Sequence, residues 1–197
     1  MMSHGRLVGS LIFFASILSA CGSSHQGWNQ FPVPIYTDST ITNSPQAQAD
    51  LQDAFKFWES KVGKKLFNYQ GQWTGGDTYT GDPTSPSAIT GNVLFFQNPW
   101  PFQPVTVGMT TVKSDDSGIE SAMIMINPNT SFCGGDCDGD YRTSERKTFT
   151  HELGHFIGLS HVQDQTNIMY PTSLPGGSLM GMTVDETALN LYTQSAR

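Results

Sequence analysis

The 197-residue chain is acidic: it has 10 lysines and arginines, 17 aspartates and glutamates, and a formal net charge of −7 at pH 7. It contains no basic run that could follow a phosphate backbone, so we expect no nucleic-acid binding. The length supports one domain with a hydrophobic core and is too short for two domains of ordinary size. We therefore expect a single domain in a monomeric protein.

The first twenty residues have the pattern of an export signal. Arg6 precedes an apolar run at residues 7–18, which is too short for a permanent transmembrane helix and suits the core of a secretory signal. Leu18-Ser19-Ala20-Cys21 follows, and it resembles the lipobox of bacterial lipoproteins, in which the cysteine is lipidated and becomes the first mature residue. Conventional signal cleavage after the small residues is the alternative interpretation.

The lipobox resemblance implies a lipid-anchored protein. Residues 1–20 would be the lipoprotein signal peptide, Cys21 the site of lipidation, for example by palmitate, and residues 21–30 a small polar tether. The lipid anchor would hold the exported protein at the bacterial cell envelope or cell surface, and Gly22 favours the outer membrane where a cell has one. Beyond the signal the chain has no apolar stretch of about 20 residues, so membrane attachment would come from lipid.

The folded domain, residues 31–197, begins with a predicted strand and a predicted long helix. The strand covers residues 33–37. Ser44-Pro45 supplies a capping residue followed by a proline at the first helical position, and Gly63 ends the helix. The buried stripe of this helix is predicted to consist of Leu51, Ala54, Phe55, Trp58 and Val62.

Four more strands are predicted before residue 130. They cover residues 66–70, 92–97, 105–112 and 119–127. Residues 74–90 are rich in Gly, Thr, Asp and Pro and are predicted to form an exposed loop. The turn Asp115-Asp116-Ser117-Gly118 is predicted to join the last two strands.

Cys133 and Cys137 are predicted to form a disulfide. If Cys21 carries lipid, these two cysteines remain as an even pair in a compartment that favours disulfides. Because the loop that they close is short, the bridge would stiffen this segment more than it would stabilise the whole domain.

Three alternating carboxylates in the same segment suit a hard cation such as calcium; they are Asp136, Asp138 and Asp140. The pattern does not complete an EF-hand, because Tyr141 stands where its glycine is needed and Lys147 where its terminal glutamate would be. We favour a solvated acidic loop, with calcium binding as the open alternative.

The run His151-Glu152-Leu153-Gly154-His155-Phe156-Ile157-Gly158-Leu159-Ser160-His161 has the spacing of a catalytic zinc site. Two histidines four residues apart lie on one face of a helix, because a turn takes about 3.6 residues, so His151 and His155 can bind one metal ion. A left-handed backbone at Gly158 would end the helix and turn the chain back, which makes His161 the third ligand. Three protein ligands leave a tetrahedral zinc one open position for water, with Glu152 beside it. A surface helix with scattered histidines is the disfavoured alternative.

The apolar residues of this helix agree with the placement of the ligands. One buried stripe is predicted to contain Phe149, Leu153, Phe156 and Ile157. The helix is expected to begin near Asp140, Thr143 or Ser144, any of which could cap its first free amides.

From about Thr143 to Pro171 the chain resembles the metzincin metallopeptidases, whose signature is His-Glu-x-x-His-x-x-Gly-x-x-His followed by a methionine-containing turn. Asn167-Ile168-Met169-Tyr170-Pro171 is similar to the Met-turn of the matrixin branch. The resemblance implies an α+β fold with a twisted mixed sheet, two long helices, a Met-turn and a C-terminal helix. It also implies that Met169 forms a hydrophobic floor beneath the zinc without binding it; an ordinary core methionine is the alternative.

The C-terminal helix is expected from about Thr183, where Thr183-Val184-Asp185-Glu186 fits a capping box. Ala188, Leu191 and Tyr192 are predicted to face inward. Residues 172–182, between the Met-turn and this helix, are glycine-rich. In matrixins the corresponding segment forms the wall of the pocket for the residue after the scissile bond.

The resemblance implies a zinc-dependent endopeptidase that hydrolyses extracellular or envelope proteins. One catalytic zinc ion is expected, because His25 is the only further histidine after the signal. Glu152 would take a proton from the zinc-activated water and pass it to the leaving amine. A protein or peptide substrate would add as a strand at the sheet edge above the cleft, and by resemblance that edge includes part of residues 119–127. The alternative is a catalytically silent zinc-binding surface lipoprotein with an adhesion or envelope-structural role.

Overall fold

The computed structural model describes residues 27–75, 91–137, 139–172 and 178–194. The predicted signal peptide, Cys21, Asp138 and most of the loop predicted at 74–90 lie outside these ranges. No helix within them has both the length and the apolar character needed to cross a membrane.

Five strands form one mixed sheet, as predicted. They are β1 (Val33–Thr37), β2 (Phe67–Gln72), β3 (Val93–Phe96), β4 (Gly108–Asp115) and β5 (Gly118–Ile126). Their order in the sheet is β2-β1-β3-β5-β4. β1 runs parallel to β2 and β3, and β3 runs parallel to β5. β4 is antiparallel to β5 and joins it through the predicted turn, so β4 lies at an edge of the sheet.

The prediction that residues 119–127 form the substrate-binding edge is wrong. β5 is hydrogen-bonded to β3 on one side and to β4 on the other, so its backbone has no side left for another strand. The edge strand at this side of the sheet is β4. The predicted strand boundaries did not reveal this, because strand order depends on pairing between distant segments.

β4 begins three residues later than predicted. The chain turns at Val105, which is 87% exposed. The side-chain amide of Asn127 donates a hydrogen bond to the carbonyl of Thr106 (3.1 Å), and this contact fixes the turn before the strand begins at Gly108. Val105 was predicted to begin the strand because it is apolar, but it lies in the turn and pairs with no strand.

The long helix α2 (Pro45–Val62) has the predicted ends. The Ser44 hydroxyl accepts a hydrogen bond from the amide of Ala47 (3.2 Å), and Gly63 has a φ of 69° directly after the last turn. A short helix, α1 (Ser39–Thr42), precedes it and was not predicted.

The second long helix, α3 (Glu145–Phe156), carries the first two histidines of the predicted zinc site. Ser144 is its cap, with the hydroxyl accepting a hydrogen bond from the amide of Lys147 (3.1 Å). α3 packs against α2, and the indole of Trp58 donates to the carbonyl of Thr150 (2.8 Å). The orientation of the ligand-bearing helix is thus fixed from behind by α2.

Apolar side chains cover both faces of the sheet. One cluster lies under α2 and α3 and includes Leu94 of β3 and Ile124 and Ile126 of β5. The neighbouring positions of the same strands point the other way, where Met123 and Met125 join a smaller second cluster. Burial on both faces explains why these strands are continuous apolar runs rather than alternating ones.

The packed part of the chain starts before residue 31. Trp28 is 6% exposed, its ring lies 5.0 Å from that of Phe156, and its indole donates to the Phe156 carbonyl (2.7 Å). Trp28 also forms a bridge with Ile119. The predicted tether, residues 21–30, therefore includes at its end residues that belong to the fold.

The C-terminal helix α4 (Glu186–Thr193) starts later than the predicted capping box. Asp185 is the cap and accepts from the amide of Ala188 (3.0 Å), whereas Thr183 pairs with Asn167 in a β-bridge. The inward face of the helix also differs from the prediction. Leu189 is buried, and Leu191, which was predicted to face inward, is 65% exposed.

Candidate metal centre

The structure brings the three predicted histidine ligands together. The Nε2 atom of His151 lies 3.2 Å from that of His155 and 3.2 Å from that of His161. The Nε2 atoms of His155 and His161 are 3.0 Å apart. Among the described residues, these three form the one group of three or more potential metal ligands.

Gly158 has the role predicted for it in turning the chain. Its φ is 108°, a region that other residues rarely adopt. The amide of Gly158 donates to the His155 carbonyl (2.9 Å), and the amide of Leu159 donates to the Gly154 carbonyl (2.9 Å). The helix is thereby closed, and the chain returns so that His161 faces the two helical histidines.

Backbone carbonyls fix which nitrogen of the helical histidines is free. Nδ1 of His151 lies 2.7 Å from the carbonyl oxygen of Ile168, and Nδ1 of His155 lies 2.8 Å from that of Leu159. Because a carbonyl oxygen only accepts, each Nδ1 carries the proton and donates. Each Nε2 therefore keeps its lone pair for a metal, which is the usual arrangement of a metal-binding histidine.

Burial favours the neutral form of these rings. It lowers the pKa of His151 and of His155 to about 4, with smaller contributions from the neighbouring histidines. The pKa of His161 is also lowered by burial. Neutral imidazoles can bind a metal without first losing a proton.

The donor set fits zinc. Tetrahedral zinc with Zn–N bonds of about 2.0–2.1 Å places its nitrogen ligands about 3.3–3.4 Å apart, close to the separations found here. Imidazole nitrogens suit zinc, whereas calcium and magnesium take oxygen ligands. His151, His155 and His161 would hold the ion.

Glu152 is held in the same cleft by the edge strand. The Thr110 hydroxyl lies 2.6 Å from Oε2 of Glu152 and 3.1 Å from its backbone carbonyl oxygen. A Cβ at Gly108 would lie 2.5 Å from Oε1, so a larger residue at this position would displace the carboxylate. Burial raises the pKa of Glu152 to about 7, and the Thr110 hydrogen bond opposes that rise. Such a group can both accept and release a proton near neutral pH.

Met169 lies directly behind the helix turn that carries the ligands. It is 2% exposed, and a Cβ at Gly154 would overlap its sulfur. The amide of Met169 donates to the Asn167 side chain (2.8 Å), and the amide of Tyr170 donates to the Asn167 carbonyl (3.0 Å). The turn thus places Met169 under α3 while Ile168 supplies the carbonyl that orients His151.

The histidines open into a cleft of about 1120 Å³. Its walls are residues 105–112 before and along β4, the side of α3 that carries the histidines, and residues 167, 168 and 170–172 after the third histidine. The edge strand, rather than β5, therefore faces the metal centre across the cleft.

Cys133 and Cys137 lie at disulfide distance, with a Cα–Cα separation of 5.7 Å. Two of the three aspartates in this segment contact arginines: Asp136 lies 3.5 Å from Arg146, and Asp140 lies 2.6 Å from Arg142. Asp138 lies outside the described residues. The two described aspartates of this segment thus form ion pairs with arginines.

Several residues that shape the site or support its helix were not predicted from the sequence. Thr110 and Gly108 alternate on β4, but nothing in the sequence indicated that this strand would lie at the edge facing Glu152. Asp50 is fully buried on α2, where it accepts hydrogen bonds from Arg146 (3.1 Å) and the amide of Gly135 (3.0 Å). Lys147 precedes His151 by four residues, and this spacing was an available signal that it shares the cleft-facing side of α3.

A three-histidine centre with an adjacent carboxylate, a chain-reversing glycine and a methionine turn below the helix define a metzincin-type peptidase domain. The sequence profile of the matrixin family matches residues 30–187, and the chain belongs to that family. Metalloendoproteinase 1-MMP of Arabidopsis thaliana is 42% identical over 45 residues, which are 22% of this chain and 12% of the plant protein. Matrixins are zinc metalloendopeptidases, so family membership points to this class of enzyme.

Proposed function

We propose that the protein is a zinc-dependent endopeptidase in which Glu152 is the general acid–base. One observation carries the proposal: three neutral imidazoles converge in an open cleft that also contains a buried carboxylate held by the edge strand. A site for structural zinc would be closed by a fourth protein ligand. Family membership supports the same conclusion.

Zinc bound to the three histidines would supply Lewis-acid chemistry, by lowering the pKa of a water molecule to about 7 and polarising the scissile carbonyl. Glu152 accepts the proton of the attacking water at a carboxylate oxygen and then delivers it to the nitrogen of the leaving amine. Thr110 restrains the carboxylate by its hydrogen bond to Oε2. The products are a peptide with a new carboxylate and a peptide with a new amine.

β4 offers the binding surface for an extended substrate. It is the edge strand of the sheet, and its residues from Gly108 to Val112 line the cleft opposite α3. A peptide that adds to this edge would be held by backbone hydrogen bonds, with alternate side chains directed into the cleft. Such binding is largely independent of sequence, so selectivity would come from the cleft walls.

The proposed setting is the outside of a bacterial cell, with Cys21 as the lipid anchor and extracellular or envelope proteins as substrates. The lipobox-like Leu18-Ser19-Ala20-Cys21 supports this proposal. Metabolic labelling with a fatty acid should mark the wild-type protein and leave Cys21→Ser unlabelled. Labelling of the serine variant would refute lipidation at Cys21.

Zinc content and cleavage, measured on the same samples, test the enzymatic proposal. Wild type and Glu152→Gln should each bind about one zinc ion per chain, and only wild type should cleave casein or a quenched peptide library, with a loss of about 10²–10⁴-fold in the variant. Glu145→Gln is the matched control, because Glu145 lies on the same helix but does not line the cleft.

Two outcomes would contradict the proposal in different ways. A full complement of zinc without cleavage of any peptide by wild type would favour the alternative, a silent zinc-binding surface lipoprotein. Cleavage retained by Glu152→Gln would refute the assigned role of Glu152 while leaving the metal site in place.

A further inference from the structure

Two lysines at the C-terminal end of α2 form no ion pair with a carboxylate of the described residues. Lys61 donates a hydrogen bond to the carbonyl of Met182 (3.4 Å), and Lys64 donates to the carbonyl of Thr193. Because these partners are neutral, both ammonium groups keep their charge. Five other cationic side chains do pair with carboxylates, namely Lys56, Lys65, Lys113, Arg142 and Arg146.

Exposed apolar side chains lie next to these two lysines. Met180 is 64% exposed and Leu191 is 65% exposed, and each lies two residues before the carbonyl that one of the lysines binds. The ammonium nitrogen of Lys64 lies over the ring of Phe31, 5.0 Å from its centroid. Lysines beside exposed apolar side chains are typical of protein surfaces that enter the headgroup region of a bilayer. We refer to Lys61, Lys64, Met180 and Leu191 as the basic corner.

The described chain begins beside the basic corner. A Cβ at Gly27 would overlap the carbonyl oxygen of Tyr192, and the next residue of α4, Thr193, is the one that Lys64 binds. Cys21 precedes Gly27 by six residues. Because an extended chain spans at most about 3.6 Å per residue, a lipid on Cys21 would hold Gly27 within about 22 Å of the bilayer. Such an anchor would therefore bring the basic corner to the membrane surface.

We propose that the basic corner docks on anionic lipid headgroups and orients the anchored protein on the membrane. The inference rests on the proposed lipid anchor at Cys21, and it adds the lipid surface as a partner of the folded domain. Attraction to anionic lipid falls off within about 10 Å, and a tether of this length keeps the corner in or near that range. A single acyl chain gives weak, reversible attachment, and a basic patch is the kind of second contact that makes attachment stable.

The charges near the chain entry favour one orientation. The protein has a net charge of −7, so an anionic surface repels most of it. Asn29 contacts Ser117 (3.5 Å) in the acidic turn between β4 and β5, so this turn also lies near the entry, and anionic lipid repels it. The basic corner is attracted instead. Because Lys61 is bonded to Met182, which lines the cleft, the docked orientation holds one end of the cleft close to the lipid surface.

The size of the preference follows from the two charges. Each lysine close to an anionic surface raises the docked population by about fivefold, so two lysines predict a preference of about 10- to 30-fold for anionic over neutral vesicles. This electrostatic part should fall as the salt concentration is raised. Insertion of the exposed apolar side chains adds a contribution that salt does not screen.

The first experiment tests docking with a chemical anchor. The mature chain, residues 21–197, is coupled through the Cys21 thiol to a maleimide lipid, while Cys133 and Cys137 remain bridged. The vesicles contain phosphatidylcholine alone, or equal parts of phosphatidylcholine and phosphatidylglycerol. The modification of each lysine by an amine-reactive ester is then followed by mass spectrometry.

On the anionic vesicles, Lys61 and Lys64 should be modified about 10-fold more slowly than on the neutral ones. Lys56 is the internal reference, because its side chain is 71% exposed and lies outside the basic corner, and its rate should change little. Equal protection of all three lysines, or equal rates on both kinds of vesicle, would overturn the proposal. Since the anchor is chemical and no cleavage is measured, neither result bears on lipidation of Cys21 in the cell or on the peptidase function.

Variants of the unanchored Cys21→Ser protein assign docking to the basic corner. Lys61→Gln/Lys64→Gln keeps a donor for each carbonyl and should lower binding to the anionic vesicles by about 10- to 30-fold. Lys56→Gln/Arg142→Gln is the matched control, because it removes the same net charge elsewhere, and it should bind nearly as the parent does. Equal losses in the two double variants, or no binding by the parent, would contradict docking through this corner. If the substitutions prevent folding, the modification rates of the anchored wild-type corner still decide the outcome.

Discussion

The contact between Thr110 and Glu152 predicts a kinetic effect for a substitution outside the zinc motif. Thr110→Val replaces the hydroxyl by a methyl group of similar volume and keeps the β-branched shape that suits a strand. It removes the donor that lies 2.6 Å from Oε2 of Glu152. That distance is within the range of a charge-assisted O–H···O⁻ hydrogen bond.

The size of the effect follows from the type of bond. Hydrogen bonds to charged groups contribute about 1.5–3 kcal/mol. Because each 1.36 kcal/mol corresponds to a factor of ten in rate, loss of this restraint on the proposed general base should lower kcat by about 10- to 100-fold. KM should change less, since Thr110 restrains Glu152 rather than the substrate.

The assay is steady-state cleavage of a quenched peptide, with the zinc content of every sample measured alongside. Thr110→Ser keeps the hydroxyl and should retain kcat within about threefold of wild type. Full zinc occupancy in Thr110→Val, together with a kcat close to that of wild type, would refute the idea that Thr110 positions Glu152. A loss of zinc in that variant would show instead that Thr110 supports the metal centre.

Three further predictions concern stability. Gly154→Ala should destabilise the protein by about 1–3 kcal/mol in urea unfolding and weaken zinc binding, because the added methyl group overlaps Met169; unchanged values would contradict the close contact. Asp50→Ala should cost about 1–3 kcal/mol, because it leaves the amide of Gly135 without its acceptor, while Arg146 keeps Asp53 and Asp136 as partners. Asp53→Ala removes a more exposed partner of the same arginine and should cost less than about 1 kcal/mol, so equal costs would contradict this reasoning. Burial and the charge of Asp50 raise the pKa of Glu145 to about 7, so between about pH 4.5 and 7 the folded state holds a proton that the unfolded state has lost, and the free energy of unfolding of wild type should fall as the pH rises through this window. Glu145→Gln should be as stable as wild type near pH 4 and more stable at pH 8. If the two curves of stability against pH stay parallel, the raised pKa is refuted.

The metal centre was predictable because its geometry is local. The spacing of His151 and His155 follows from the helix turn, and a glycine at position 158 is required wherever the chain must reverse within a few residues. The ends of α2 were predictable for the same reason, since Ser44 and Gly63 act through contacts within one helical turn.

The features that the sequence did not reveal depend on distant partners. Thr110 reaches Glu152 across 42 positions of sequence, and Asp50 reaches Arg146 across 96. Neither residue differs in local pattern from an ordinary surface position. The start of α4 was missed because Thr183 and Asp185 are both good caps, and the bridge between Thr183 and Asn167 decides between them.

α3 serves the hydrophobic core and the candidate metal centre at the same time. Eight of its twelve residues are buried, and the apolar ones pack against the core. His151, Glu152 and His155 would carry the proposed chemistry, and Gly154 is confined by Met169. The remaining buried positions that face the cleft are Lys147 and Thr148, one turn before the ligands. Only at these two positions can the cleft-facing side chain change without altering a proposed zinc ligand or Glu152, so the candidate metal centre fixes the rest of this side of α3.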